Sequence, residues 1–165
     1  MPDAAPIDCD VHPAVPGLAS LMPYLDELWR DMVVRRGLDE LNTISDPSRS
    51  PLTVRADWRD DTGKAATTPQ ALAAQGLAPF GTQLAICNCL YGAQALFSED
   101  LGAAFARAIN DWIAREWLDV DPRLRASIVV PMQNPELAVD EIERVAADRR
   151  FVQVLLLAGA DHPLG

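Results

Sequence analysis

With 165 residues, 49% of them apolar, the chain is long enough for one domain with a sizeable buried core and too apolar for a disordered segment. A formal charge of −10, from 24 acidic against 14 basic residues, repels phosphate and speaks against nucleic acid or an anionic membrane as a partner. The opening MPDAAP lacks the basic and apolar regions of a secretory leader, and no stretch approaches the roughly 18 apolar residues of a membrane span, so the expected compartment is the cytoplasm.

The first element is the run Ile7-Asp8-Cys9-Asp10-Val11-His12. In a strand, residues two apart share a face, so Asp10 and His12 project the same way from one strand end. A carboxylate and an imidazole converging there can start a metal site, or can simply hydrogen-bond each other at a sheet edge. Residues 13–81 form a long detour. It carries a predicted helix over about 18–36, a polar, proline-containing stretch over 39–68 and a short helix over about 69–75, and its length suits either a lid over a site or a flap against a partner subunit. The charged patch from Asp57 to Asp61 is expected to be a solvated loop.

From residue 82 the pattern becomes regular. Apolar runs at 83–90, 125–131 and 151–157 have the near-continuous hydrophobicity of parallel strands buried on both faces. Between the first two, Leu101, Phe105, Ile109, Trp112 and Ile113 recur at helical spacing, which predicts a helix over about 99–118 with Ser98 as its N-cap. The next helix is predicted to start at Asn134-Pro135 and to bury Leu137, Ile142 and Val145. Strand–helix alternation implies right-handed crossovers, with every strand's C-terminal end on one side of the sheet. Asp10, His12, Tyr91, Gln133 and His162 all fall on that side. The odd count of three cysteines, Cys9, Cys87 and Cys89, all within strand candidates, suits reduced and buried thiols.

Four segments in this order, IDCDVHP, INDWIAREWL, DPRLRASIVVPMQNPELAVDEIERV and FVQVLLLAGADHPLG, resemble the amidohydrolase-related family, in the branch that includes aminocarboxymuconate-semialdehyde decarboxylase. The resemblance covers most of the chain outside 40–68. It implies an α/β fold, a distorted (β/α)8 TIM barrel with a divalent metal at its C-terminal mouth. Here about four parallel strands are expected, with a helical insertion after the first. A whole barrel takes about 250 residues, so 1–165 is expected to be the N-terminal part of one, and its open sheet to be covered by a homo-oligomer or by the remainder of the barrel.

The resemblance also assigns roles. The family's first-strand His-x-His falls on Asp10 and His12, which become metal ligands, for zinc or alternatively manganese; the carboxylate at the first position is a departure from the pattern. The family's later ligands have no counterpart in this sequence, and His162 is taken as a loop residue. Asn88 is a candidate for orienting substrate, or for satisfying backbone groups at a strand end. Arg55 and Arg59 are candidate carboxylate clamps, or partners of nearby aspartates. The implied activity is hydrolysis or nonoxidative decarboxylation of a small carboxylate-bearing substrate; the rival is a noncatalytic half-barrel binding or assembly module.

Overall fold

The structure, a computed structural model, describes residues 5–41 and 54–158, so His162 lies outside the described residues. Four strands, β1 (Ile7–Val11), β2 (Leu84–Cys87), β3 (Leu124–Val129) and β4 (Phe151–Leu155), form one parallel sheet in the order β1-β2-β3-β4. Helices α3 (Glu99–Ile113) and α4 (Pro135–Val145) make the crossovers after β2 and β3, as the alternation predicts.

Both helices start where their capping residues predict. The Ser98 hydroxyl accepts the Leu101 amide at 3.4 Å, and Asn134 Oδ1 accepts the amides of Glu136 and Leu137 at 2.9 and 3.1 Å. Each satisfies N–H groups that the first helical turn leaves without partners. The α3 stripe is buried, with Phe105 and Ile109 fully inaccessible and packed in one core with Ala85, Cys87, Leu124 and Ala126. Burial of two such side chains is worth about 1.5–3 kcal/mol each.

Three expectations need correction. The predicted helix over 18–36 is broken into two single turns, Leu18–Ser20 and Met22–Tyr24, before α1 (Glu27–Arg36), and the short helix α2 (Pro69–Leu72) follows later in the same connection. Pro23 has no N–H to donate, and Leu25 and Asp26 are extended, so the helix restarts at Glu27. Burial on both faces holds for β2 and β3 but fails for β4, where Val152 and Val154 are exposed; like β1, whose Ile7 is also exposed, β4 has a neighbouring strand on one side only among the described residues. Cys9, on β1, is therefore exposed, while Cys87 and Cys89 are buried and all three are free thiols. Burial pushes the Cys87 thiol up to about 12, which keeps it protonated and inert.

A polar staple joins α3, β3 and α4. Buried Asn110 donates to the Val129 carbonyl at 2.9 Å and to Glu141 at 2.7 Å, and accepts the Val129 amide at 2.9 Å. Arg144 closes the network, donating to Glu141 at 2.8 and 2.7 Å and to Asp111 at 2.8 Å. Glu141 thus takes a fully buried place on α4, while Leu137 and Ile142, expected there, are half-buried.

The connection between β1 and β2 is pinned mainly by Lys64. Its ammonium donates to the carbonyls of Val15 and Pro16 at 3.1 and 3.2 Å and to Glu40 at 2.6 Å, which uses all three of its hydrogens. The Asp57–Asp61 patch is solvated as expected, its three aspartates exposed, and within it Asp60 accepts from Thr62, Lys64 and Thr67.

Replacing Asn110 by leucine removes the partners of the Val129 amide and carbonyl and one donor to Glu141 at nearly constant volume. Unsatisfied buried polar groups cost about 1–3 kcal/mol each, so Asn110→Leu is expected to destabilise the fold by about 2–4 kcal/mol. A urea midpoint unchanged from the parent would contradict the staple.

A carboxylate and an imidazole on a bulged strand end

The site begins with a fault in the β1–β2 ladder. Ile7 and Asp8 face Leu84 and Ala85, but the next partners are Val11 and Cys87, so β1 takes three steps where β2 takes two. The extra residue has a local cause: Asp8 Oδ1 accepts the Asp10 amide at 3.0 Å, a side-chain turn that competes with the ladder. The ladder resumes where the Asn88 amide donates to the Val11 carbonyl at 2.7 Å. Bulges re-aim side chains and gather near sites.

Asp10 and His12 are thereby brought together. His12 Nε2 lies 3.0 Å from Asp10 Oδ1, at side-chain exposures of 38% and 76%. Asn88, buried at the end of β2, reaches the same oxygen: its Nδ2 donates to Asp10 Oδ1 at 2.8 Å and to the Cys9 carbonyl at 3.2 Å. The amide of Asn88 thus satisfies a backbone carbonyl, one of the two roles expected of it, and also holds the Asp10 carboxylate. Asp10 Oδ2 makes no hydrogen bond to any described residue.

The Asn88 hydrogen bond, opposed by partial burial and assisted by His12, holds the Asp10 carboxyl below the ordinary aspartate value. The carboxylate is fully charged above that ordinary value, and its charge is lost only as pH falls through the lowered one. Among the described residues no cluster of three or more His, Cys, Asp or Glu side chains that could hold a metal ion is present, and Asp10 and His12 stand as a pair. A carboxylate and an imidazole are donor types that a hard or borderline divalent ion accepts, and Asp10 Oδ2 has no hydrogen-bond partner among the described residues.

Two residues that sequence reasoning missed lie behind Asn88. The Ser127 hydroxyl, buried on β3, donates to Asn88 Oδ1 in a short hydrogen bond, and Gln153 Nε2 on β4 donates to Ser127 Oγ at 2.9 Å. Gln153 comes level with Ser127 through a second bulge, where β4 takes two steps, Phe151 to Gln153, against one on β3. The available signal was a lone polar residue inside each apolar run, RASIVVP and FVQVLLL.

Beside Asp10 and His12 runs a groove of about 610 Å³ along β1, walled by Val54, Trp58, Leu72 and Phe80 of the connection. The insertion thus borders the rim, as a lid or specificity element must. Arg55 is bonded to Asp57 at 3.0 and 2.8 Å, with its guanidinium 5.4 Å from the centre of the Trp58 ring, and Arg59 donates to the Gly63 carbonyl at 2.6 Å. Neither arginine lines the groove directly.

The described residues thus form a parallel α/β sheet with a carboxylate and an imidazole in contact at the C-terminal end of its first strand. The family model Amidohydro_2, amidohydrolase, matches residues 7–165, and the chain belongs to that family. Among solved structures it is similar to a 2,6-dihydroxybenzoate decarboxylase from Rhizobium, at 20% identity and a TM-score of 0.50, covering 91% of this chain and 37% of that one. It is also similar to a 5-carboxyvanillate decarboxylase from Novosphingobium aromaticivorans, determined with manganese and 3-methoxy-4-hydroxy-5-nitrobenzoic acid, at 20% identity and a TM-score of 0.59, covering 92% and 41%. At this identity the likeness establishes the barrel fold, of which the chain spans roughly two fifths of these neighbours' length. No curated protein sequence matches it. No helix among the described residues is long and apolar enough to cross a membrane.

Substituting Asn88 by leucine removes the hydrogen bond that contributes most to the low Asp10 pKa. The Asp10 carboxyl is expected to titrate at higher pH in Asn88→Leu, as followed by its 13Cγ shift, and an unmoved titration would show that Asn88 does not set it.

Proposed function

We propose that the chain is the first part of a metal-dependent enzyme that removes carbon dioxide from, or hydrolyses, a small carboxylate-bearing substrate. The observation that carries this is the Asp10–His12 pair at the C-terminal rim, with one carboxylate oxygen held by Asn88 and the other without a hydrogen-bond partner among the described residues. Membership of the amidohydrolase family and the decarboxylase neighbours support the same reading.

Asp10 and His12 are two of the ligands that hold the metal. When bound, the ion supplies Lewis acidity, polarising a substrate carboxylate and an adjoining oxygen or activating water. The chain's own residues do the rest. Asn88 keeps Asp10 charged and oriented, and the Trp58 and Phe80 wall of the groove offers an apolar face to an aromatic ring. Arg55 and Arg59 lie near Trp58 but outside the groove lining, and we propose that they recognise the substrate carboxylate from its margin, Arg55 by exchanging Asp57 for it. A carboxylate in place of a first histidine shifts the donor set toward oxygen, so manganese suits it as well as zinc.

The test is metal content after dialysis against Zn2+ or Mn2+. Stoichiometric metal in the parent and its loss in both Asp10→Ala and His12→Ala are expected, whereas a metal-free parent favours the noncatalytic assembly module. The outer strands also expose Ile7, Val152 and Val154, so we propose that the sheet is covered by a second copy or by further barrel strands. On size exclusion the chain is expected to elute larger than a monomer, and a compact monomeric peak speaks against this.

A further inference from the structure

One polar side chain from each strand takes part in a single chain of hydrogen bonds crossing the sheet: Gln153 on β4, Ser127 on β3, Asn88 after β2 and Asp10 on β1. Its direction is fixed by chemistry. The Cys9 carbonyl and the Asp10 carboxylate can only accept, so both require the NH2 end of Asn88 to face β1. The Asn88 oxygen then faces β3 and needs a donor, so Ser127 must give it its only hydrogen. With that hydrogen committed, the Ser127 oxygen is left to accept, and Gln153 Nε2 donates to it at 2.9 Å. Every donor therefore points toward Asp10 Oδ1, and each bond polarises the next.

Ser127 is 2% exposed and Asn88 6%, so neither group can exchange its partner for water without moving the strands. An apolar residue at 127 would leave the Asn88 oxygen buried without a donor and free its amide to rotate. Oδ2 of Asp10, at the exposed rim, stays outside the chain of bonds.

From this arrangement we infer that Ser127 and Gln153 are positioning residues for the metal site: acting through Asn88, they lock the Asp10 carboxylate so that Oδ1 is held by the protein and Oδ2 is presented to the cation. The inference rests on the proposed role of Asp10 as a ligand. Partners behind a metal ligand fix its orientation and contribute measurably to affinity.

The test titrates the full chain with MnCl2, following free Mn2+ by electron paramagnetic resonance. Ser127→Ala is expected to weaken Mn2+ binding by about 3- to 10-fold and Asn88→Leu by about 10- to 100-fold. Ser127→Thr, which keeps the hydroxyl, is expected to retain the parent affinity. On the Asn88→Leu background, Ser127→Ala is expected to have no further effect, because the link through which it acts is gone. A merely structural serine would not produce that pattern. Should Ser127→Ala fail to fold, Gln153→Leu at the exposed end of the chain is the second variant, with an expected loss of about 2-fold or more. Parent-like affinity in Ser127→Ala, or an undiminished loss on the Asn88→Leu background, overturns the inference while leaving Asp10 a ligand. Parent-like Mn2+ binding by Asp10→Ala, or no binding by the parent, instead overturns the metal reading itself, and the inference with it.

Discussion

The geometry of the rim depends on one backbone amide, the N–H of Asp10, which bonds to Asp8 Oδ1. That bond inserts a residue into β1 and ends regular pairing at the point where the strand meets the mouth of the sheet. Without the extra residue the alternation of side chains would slip by one between Asp8 and Val11, and a slip of one residue sends a side chain to the opposite face. The carboxylate–imidazole contact and the reach of Asn88 to Asp10 both follow from this local departure. A short-range side-chain preference of aspartate thus sets the long-range register on which the site is built.

The architecture was legible because its signals are periodic. The α3 stripe, the caps at Ser98 and Asn134 and the three apolar runs each state a local preference that the parallel sheet satisfies, and such agreement between levels is what makes a fold readable. Asp10, His12 and Asn88 were legible as candidates from their positions at strand ends. Ser127 and Gln153 were not, since a lone polar residue in an apolar run carries no period, and only a bulge invisible in the sequence sets Gln153 level with Ser127. The outer strands misled for a different reason: β4 has the composition of a doubly covered strand, but exposure depends on what lies beside it. Pro23 is the sequence signal for the break within 18–36, since it has no N–H to continue a helix.

Two buried polar fixtures carry much of the specificity of the remaining packing. Asn110 serves both backbone groups of Val129 while meeting Glu141, which fixes the height of α3 against β3 and the approach of α4. Lys64, the lone lysine among 14 basic residues, spends its ammonium inside the chain on two carbonyls and Glu40. A residue type so scarce elsewhere invites a surface or catalytic reading; here it ties the connection to the segment that follows β1. That tie holds the wall of the groove next to the metal-ligand candidates.

The bare flank of β4 carries a colloidal consequence. Among the described residues β4 pairs on one side only; an outer strand presenting valines is a template for ribbon growth between molecules, and sequences commonly blunt such templates with lysine or proline, neither of which occurs in Phe151–Leu155. The chain's guard is diffuse instead: ten surplus negative charges make every copy repel every other at long range. Such a guard weakens with ionic strength, because the repulsion is screened within about 8–10 Å in ordinary buffers while the hydrogen-bonding edge is not. Covering the β4 edge therefore matters more as ionic strength rises or pH approaches the acidic isoelectric point of about 4.5.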